Sequence, residues 1–171
     1  MREPDSERGF TIVELMIVVA VIAVLAIVVV PSFIKESNRG KAKSEVHPMF
    51  AELGTRLDQF KSESNAGTYM SAAACPATAS KQGTDVMTSP CADWTDLRVQ
   101  PPQSKLTCSY VVRHGLPTDD ALADSELPAW AKTNPQLFAP ATGWYFIHAT
   151  CPETEYFKAS WEDKIRSKDG K

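Results

Sequence analysis

The sequence predicts an α+β fold: a long N-terminal helix, one half suited to a membrane and the other amphipathic, packed on a small antiparallel β-sheet. Three observations predict it. An uninterrupted apolar run extends from Leu15 to Val30. Apolar residues then recur at three- and four-residue steps through a more polar stretch. Short β-branched and aromatic segments separated by turn residues follow toward the other end of the chain. The chain has 171 residues, which allow one soluble domain of modest size beside the apolar segment but not two sizeable cores.

The first element is Phe10 to Ile34, about twenty-five residues where roughly twenty suffice to cross a bilayer as a helix. Glu14 interrupts its head. An acidic side chain in hydrocarbon costs roughly 2.5–3.5 kcal/mol, so Glu14 needs a partner or a use. A secretory signal peptide would end in a small-residue cleavage site. Here the run ends in Val28-Val29-Val30-Pro31-Ser32-Phe33, without an Ala-x-Ala pattern. The segment is therefore read as a membrane span.

From Lys35 to Lys61 the stripe Ala42, Val46, Met49, Phe50, Leu53, Leu57 and Phe60 marks a one-sided helix continuous with the span. Pro31 and Pro48 each remove a backbone donor and are expected to bend it, and Gly54 weakens it locally. Lys35, Arg39, Lys41 and Lys43 are read as a solvated helix face, with phospholipid headgroups or another subunit as the alternative. Ser62 to Lys105 is rich in Ser, Thr, Ala, Gly and Pro and is read as a long loop containing Cys75 and Cys91.

Three strands are expected after the loop: Leu106 to Arg113, Gly143 to Cys151, and Tyr156 to Glu162, the last two joined by the turn Pro152-Glu153-Thr154-Glu155. If the first two pair antiparallel with Cys108 facing Cys151, Tyr110 meets Ala149 and Val112 meets Ile147, which gathers one apolar face. That register implies a Cys108–Cys151 bridge and, by subtraction, Cys75–Cys91. The latter would close a loop of about fifteen residues, worth roughly 3 kcal/mol in the chain-entropy model. The insertion Leu116 to Thr142, with Leu122, Leu127, Trp130, Leu137 and Phe138, is expected to fold over the sheet edge.

Several function classes lose support at this level. The formal net charge is −3, so no basic excess argues for nucleic acid. The four cysteines form no Cys-x-x-Cys pair and suit two disulfides in an oxidising compartment better than zinc. His47, His114 and His148 show no metal spacing, and His148 is placed facing away from the core beside Val111. Trp94, Trp130, Trp144 and Trp161 are read as core. Glu153 and Glu155 alone do not make a calcium site. There is no Gly-x-Ser-x-Gly, His-Glu-x-x-His or phosphate-binding glycine loop. No catalytic residue, metal site or cofactor is assigned.

The run Gly9-Phe10-Thr11-Ile12-Val13-Glu14-Leu15-Met16-Ile17-Val18-Val19 closely resembles the class III leader junction of the type IV pilin and type II secretion pseudopilin superfamily. Pro31, counted from Phe10 as the first mature residue, stands where that superfamily commonly carries a proline. The resemblance implies a pilin-like fold divided into a leader (1–9), a transmembrane and assembly helix (10–34), an amphipathic helix (35–61) and a C-terminal β domain with its disulfide-bearing loop (62–171). It implies cleavage after Gly9 by a prepilin peptidase and N-methylation of Phe10. Losing residues 1–9 removes two arginines and three acids, moving the net charge from −3 to −2.

In the resembling family, the acid at the position of Glu14 neutralises the first-residue amine of a neighbouring subunit, and the proline at Pro31 helps the helix unwind. The partners so implied are the peptidase, other pilin or pseudopilin subunits, inner-membrane lipid and a pilus or secretion assembly platform. The expected place is the bacterial inner membrane, single-pass, with the C-terminal domain outside the cytoplasm and assembled into a periplasmic or surface filament. Basic residues are denser after the span than before it, which alone would put the C-terminal side in the cytoplasm; the cysteines and the leader junction weigh the other way. The alternative function is a signal-anchored extracytoplasmic binding domain or enzyme that never polymerises.

Overall fold

The computed structural model describes residues 10–88, 91–132 and 142–170. The chain divides into two compact units, Met1–Ser37 and Asn38–Lys171. Helix α1, Ile12–Glu63, continues through Pro31, Pro48 and Gly54. Each proline lacks a donor for the helical ladder, and neither ends the helix.

In the second unit, the stripe read from the sequence is the buried face of α1: Ala42, Val46, Met49, Phe50, Leu53 and Leu57 are all buried. They share a core with one face of a five-stranded sheet. Its strands are β1 (Ala72–Cys75), β4 (Ser109–Gly115), β5 (Trp144–Thr150), β6 (Glu155–Ala159) and β7 (Arg166–Ser167), in that spatial order. Neighbouring strands are antiparallel. Strands β2 (Thr84–Asp85) and β3 (Lys105–Leu106) form a separate two-stranded ladder. The β4–β5 register pairs Tyr110 with Ala149 and Val112 with Ile147, as the apolar pattern requires. Phe50 of α1 meets Tyr110 edge to face at 6.1 Å between ring centres.

The expected strand from Leu106 to Arg113 is instead two strands, β3 and β4, separated by Thr107 and Cys108. Both of these residues give their backbone N–H groups to the Glu45 carboxylate, at 2.8 and 2.9 Å, so these donors turn to the helix rather than to a ladder. The stretch read as a long loop is also more ordered. Strand β1 joins the edge of the main sheet, and the short helix α2, Ala92–Asp96, packs beside it. Asp93 accepts the Ala73 N–H at 2.7 Å, covering part of that open edge.

The insertion covers the second face of the sheet rather than its edge alone. Ala121, Leu127 and Ala131 are buried against Trp144, Phe146, Phe157 and Ala159, forming a second core. Helix α3, Ala129–Lys132, carries Trp130, whose indole N–H donates to Glu155 at 2.8 Å. The Trp144 indole donates to the Asp119 carbonyl at 3.2 Å, tying the start of the insertion down. His148 pairs with Val111 and faces away from the helix-side core as expected, and it is mostly buried on this second face. Both faces had to be covered because residues on alternate positions of β5 are apolar too. Leu137 and Phe138 lie outside the described residues. Gly115 permits the close approach of Trp144: a Cβ there would sit 2.2 Å from the indole ring.

Candidate functional site

The first unit presents the most unusual surface of the molecule. Every large apolar side chain from Phe10 to Ile34 is at least 50% exposed, and Phe10 is 83% exposed. Burying such a side chain away from water is worth about 1.5–3 kcal/mol, so the stretch as a whole outweighs the cost of its one acid many times over. This is also the one helix among the described residues long and apolar enough to cross a membrane.

The head of the helix explains how Glu14 is held. Thr11 precedes the first helical residue, and its carbonyl accepts the Leu15 N–H at 3.2 Å. The Thr11 hydroxyl accepts the Glu14 backbone N–H at 3.2 Å. In return, Glu14 Oε2 accepts the Thr11 backbone N–H at 3.1 Å and the Thr11 hydroxyl at 3.0 Å. Thr11-Ile12-Val13-Glu14 is thus a capping box, in which two otherwise unpaired donors of the helix start are satisfied reciprocally. A carboxylate is further favoured there by the helix dipole. Glu14 Oε1 has no partner among the described residues. The carboxylate is therefore oriented by its own chain through Oε2, and Oε1 is open among the described residues.

Thr11 was not singled out from the sequence, although Thr-x-x-Glu immediately before an apolar run is a readable capping signal. Of the other residues assigned to this segment, Gly9 lies outside the described residues, and so does the rest of 1–9. Pro31 is exposed within α1, and the neighbouring Ser32 hydroxyl donates to the Val29 carbonyl at 2.9 Å.

In the second unit, Cys75 is bonded to Cys91 and Cys108 to Cys151. The feature the sequence reading missed is Glu45, 3% exposed on the buried stripe of α1. Its Oε1 accepts from the Cys108 N–H and the Tyr110 hydroxyl, both at 2.9 Å. Its Oε2 accepts from the Thr107 N–H at 2.8 Å and the Thr107 hydroxyl at 2.7 Å. Burial, reinforced by the nearby carboxylate, pushes the Tyr110 hydroxyl well above its usual range, so it remains a donor. This site is an anchor between helix and sheet.

The histidines fall on separate elements. His114 Nδ1 lies 2.8 Å from the Ser71 hydroxyl, a pairing that superficially suggests a nucleophile and its base. The same hydroxyl also accepts the His114 backbone N–H at 3.2 Å, which makes it a strand-to-strand clasp. No group of His, Cys, Asp and Glu suited to a metal occurs among the described residues.

An α+β unit preceded by an exposed apolar helical stretch with a capped acid at its head is the class of protein these observations define. Residues 5–30 match the prokaryotic N-terminal methylation motif. Over 56 residues the chain is 48% identical to the type IV major pilin protein PilA of Myxococcus xanthus (strain DK1622), a match covering 33% of this chain and 25% of that one. Over 61 residues it is 38% identical to the type II secretion system core protein G of Escherichia coli (strain K12), covering 36% of this chain and 41% of that one. The matched stretch therefore spans less than half the length of either curated relative. No solved structure matches the chain.

Proposed function

We propose that the chain is a structural subunit of a type IV pilus or a related type II secretion filament, inserted through Phe10 to Ile34 and assembled through α1. The carrying observation is Glu14, held at the head of an exposed apolar helix with one carboxylate oxygen open among the described residues. The free amine of the first mature residue of a second copy is the donor that fits it. Two charges that are each costly in lipid become tolerable as a hydrogen-bonded pair. The role is structural rather than catalytic.

In this reading, a prepilin peptidase cuts after Gly9 and Phe10 is N-methylated, which the match to the N-terminal methylation motif supports. The subunit resides in the inner membrane as a single-pass protein with Asn38 onward outside the cytoplasm, where the two disulfides are stable. Pro31, which gives the ladder of α1 no backbone donor, is the other residue assigned to assembly. The remaining partners are other pilin or pseudopilin subunits and an assembly platform.

N-terminal sequencing and mass analysis of the protein from its native membrane test this. An N-methylated Phe10 supports the filament subunit. An intact Met1 would return the chain to the alternative, a signal-anchored binding domain or enzyme that does not polymerise.

A further inference from the structure

We propose that the second unit carries a binding site for a zwitterionic phospholipid headgroup of the phosphoethanolamine type. The site is a shallow cleft lined by Asn38 and Lys41 of α1, Lys81, Thr107, and Pro152 and Glu153 of the β5–β6 turn. Its volume is about 40 Å³, room for a few water-sized groups rather than for an acyl chain.

The walls are fixed. Thr107 and Pro152 directly follow or precede the bridged pair Cys108 and Cys151 in sequence, and the Thr107 hydroxyl is committed to Glu45 at 2.7 Å. The charges are mixed. Lys41 is exposed and has no ion-pair partner among the described residues. Lys81 is 66% exposed and sits 2.7 Å from Glu153. A phosphate suits Lys41, Lys81 and the Asn38 amide. A primary ammonium on the same ligand suits Glu153, which a purely anionic headgroup would instead meet as a repulsive charge.

Chain position supplies the occupant, and here the inference rests on the membrane reading above. Asn38 and Lys41 follow Ile34, the last residue of the span, by only four and seven residues in sequence. The headgroup layer on each side of a bilayer is roughly 5–8 Å deep, within reach of a chain that has just left the hydrocarbon.

The test is native mass spectrometry of the full chain in detergent, titrated with short-chain phosphatidylethanolamine, phosphatidylcholine or phosphatidylglycerol. The expected result is retention of phosphatidylethanolamine over the other two by about three- to fivefold, the scale of one exposed charge pair. Glu153→Gln should erase the preference over phosphatidylcholine, whose ammonium has no N–H to donate. Lys41→Gln should weaken retention of all three. Equal retention of the three lipids by the unsubstituted protein, a preference for phosphatidylglycerol, or a preference indifferent to both substitutions would overturn the proposal. A chain that fails to insert into vesicles of any of these lipids would instead refute the membrane reading itself.

Discussion

Glu14 and Glu45 are carboxylates of the same helix, each hydrogen-bonded through its own chain, and they differ in what is left over. Glu45 uses both oxygens on four donors from Thr107, Cys108 and Tyr110 and is removed from solvent. Glu14 uses one oxygen on Thr11 and remains in an exposed apolar surface. A buried carboxylate with every donor supplied internally is a fold anchor. A carboxylate held through one oxygen, with the other open among the described residues of an exposed apolar segment, is the one proposed above to meet a partner. The difference teaches that burial and hydrogen bonding of an acid locate its role better than its position in a polar or apolar run.

The largest effect should come from breaking the closed member of this comparison. Glu45→Ala strands two backbone N–H groups and the Tyr110 hydroxyl in the core. Each buried unsatisfied group costs about 1–3 kcal/mol, so a loss of about 3–5 kcal/mol in unfolding free energy is expected by denaturant titration with the disulfides intact. A loss below about 1 kcal/mol would mean that the anchor is dispensable.

A smaller effect sharpens the open member. Thr11→Val removes the hydroxyl that accepts the Glu14 N–H and donates to its carboxylate. Loss of an N-cap costs about 1 kcal/mol, so amide exchange in the first turn of α1 should quicken about fivefold, with Thr11→Ser restoring protection. Unchanged exchange would show that Thr11 does not hold Glu14.

The smallest effect concerns pH and is confined to the second unit. Burial, partly opposed by the neighbouring Glu155, holds His148 below the usual histidine value, and burial does the same to His114. Because the unfolded chain takes up these protons first, stability is lost as pH falls through the ordinary histidine value toward the lowered folded one. The melting temperature should therefore drop between about pH 7 and about pH 5, and His148→Gln should reduce the drop. A flat profile would mean that these rings protonate without cost.

Much of this architecture was legible because it follows from period. The stripe from Ala42 to Leu57 and the alternation around Tyr110 and Ile147 fixed the helix face and the central register. The second core was not, because the insertion has no period and its burial is decided by the far face of β5. Glu45 was invisible for a related reason: a charged residue beside a helical stripe reads as solvated, and only the break between β3 and β4 brings its donors together. At the candidate site, Glu14 and its cost were readable from composition alone, whereas the orientation of its carboxylate depended on recognising Thr11 as a cap.

The most direct measurement is the incorporation of Glu14→Ala subunits into filaments sheared from cells, with processing followed in parallel by N-terminal sequencing. Processing after Gly9 that persists while incorporation collapses is the predicted result. Incorporation equal to that of the unsubstituted subunit would contradict the account, because the open oxygen of Glu14 would then have no partner that matters.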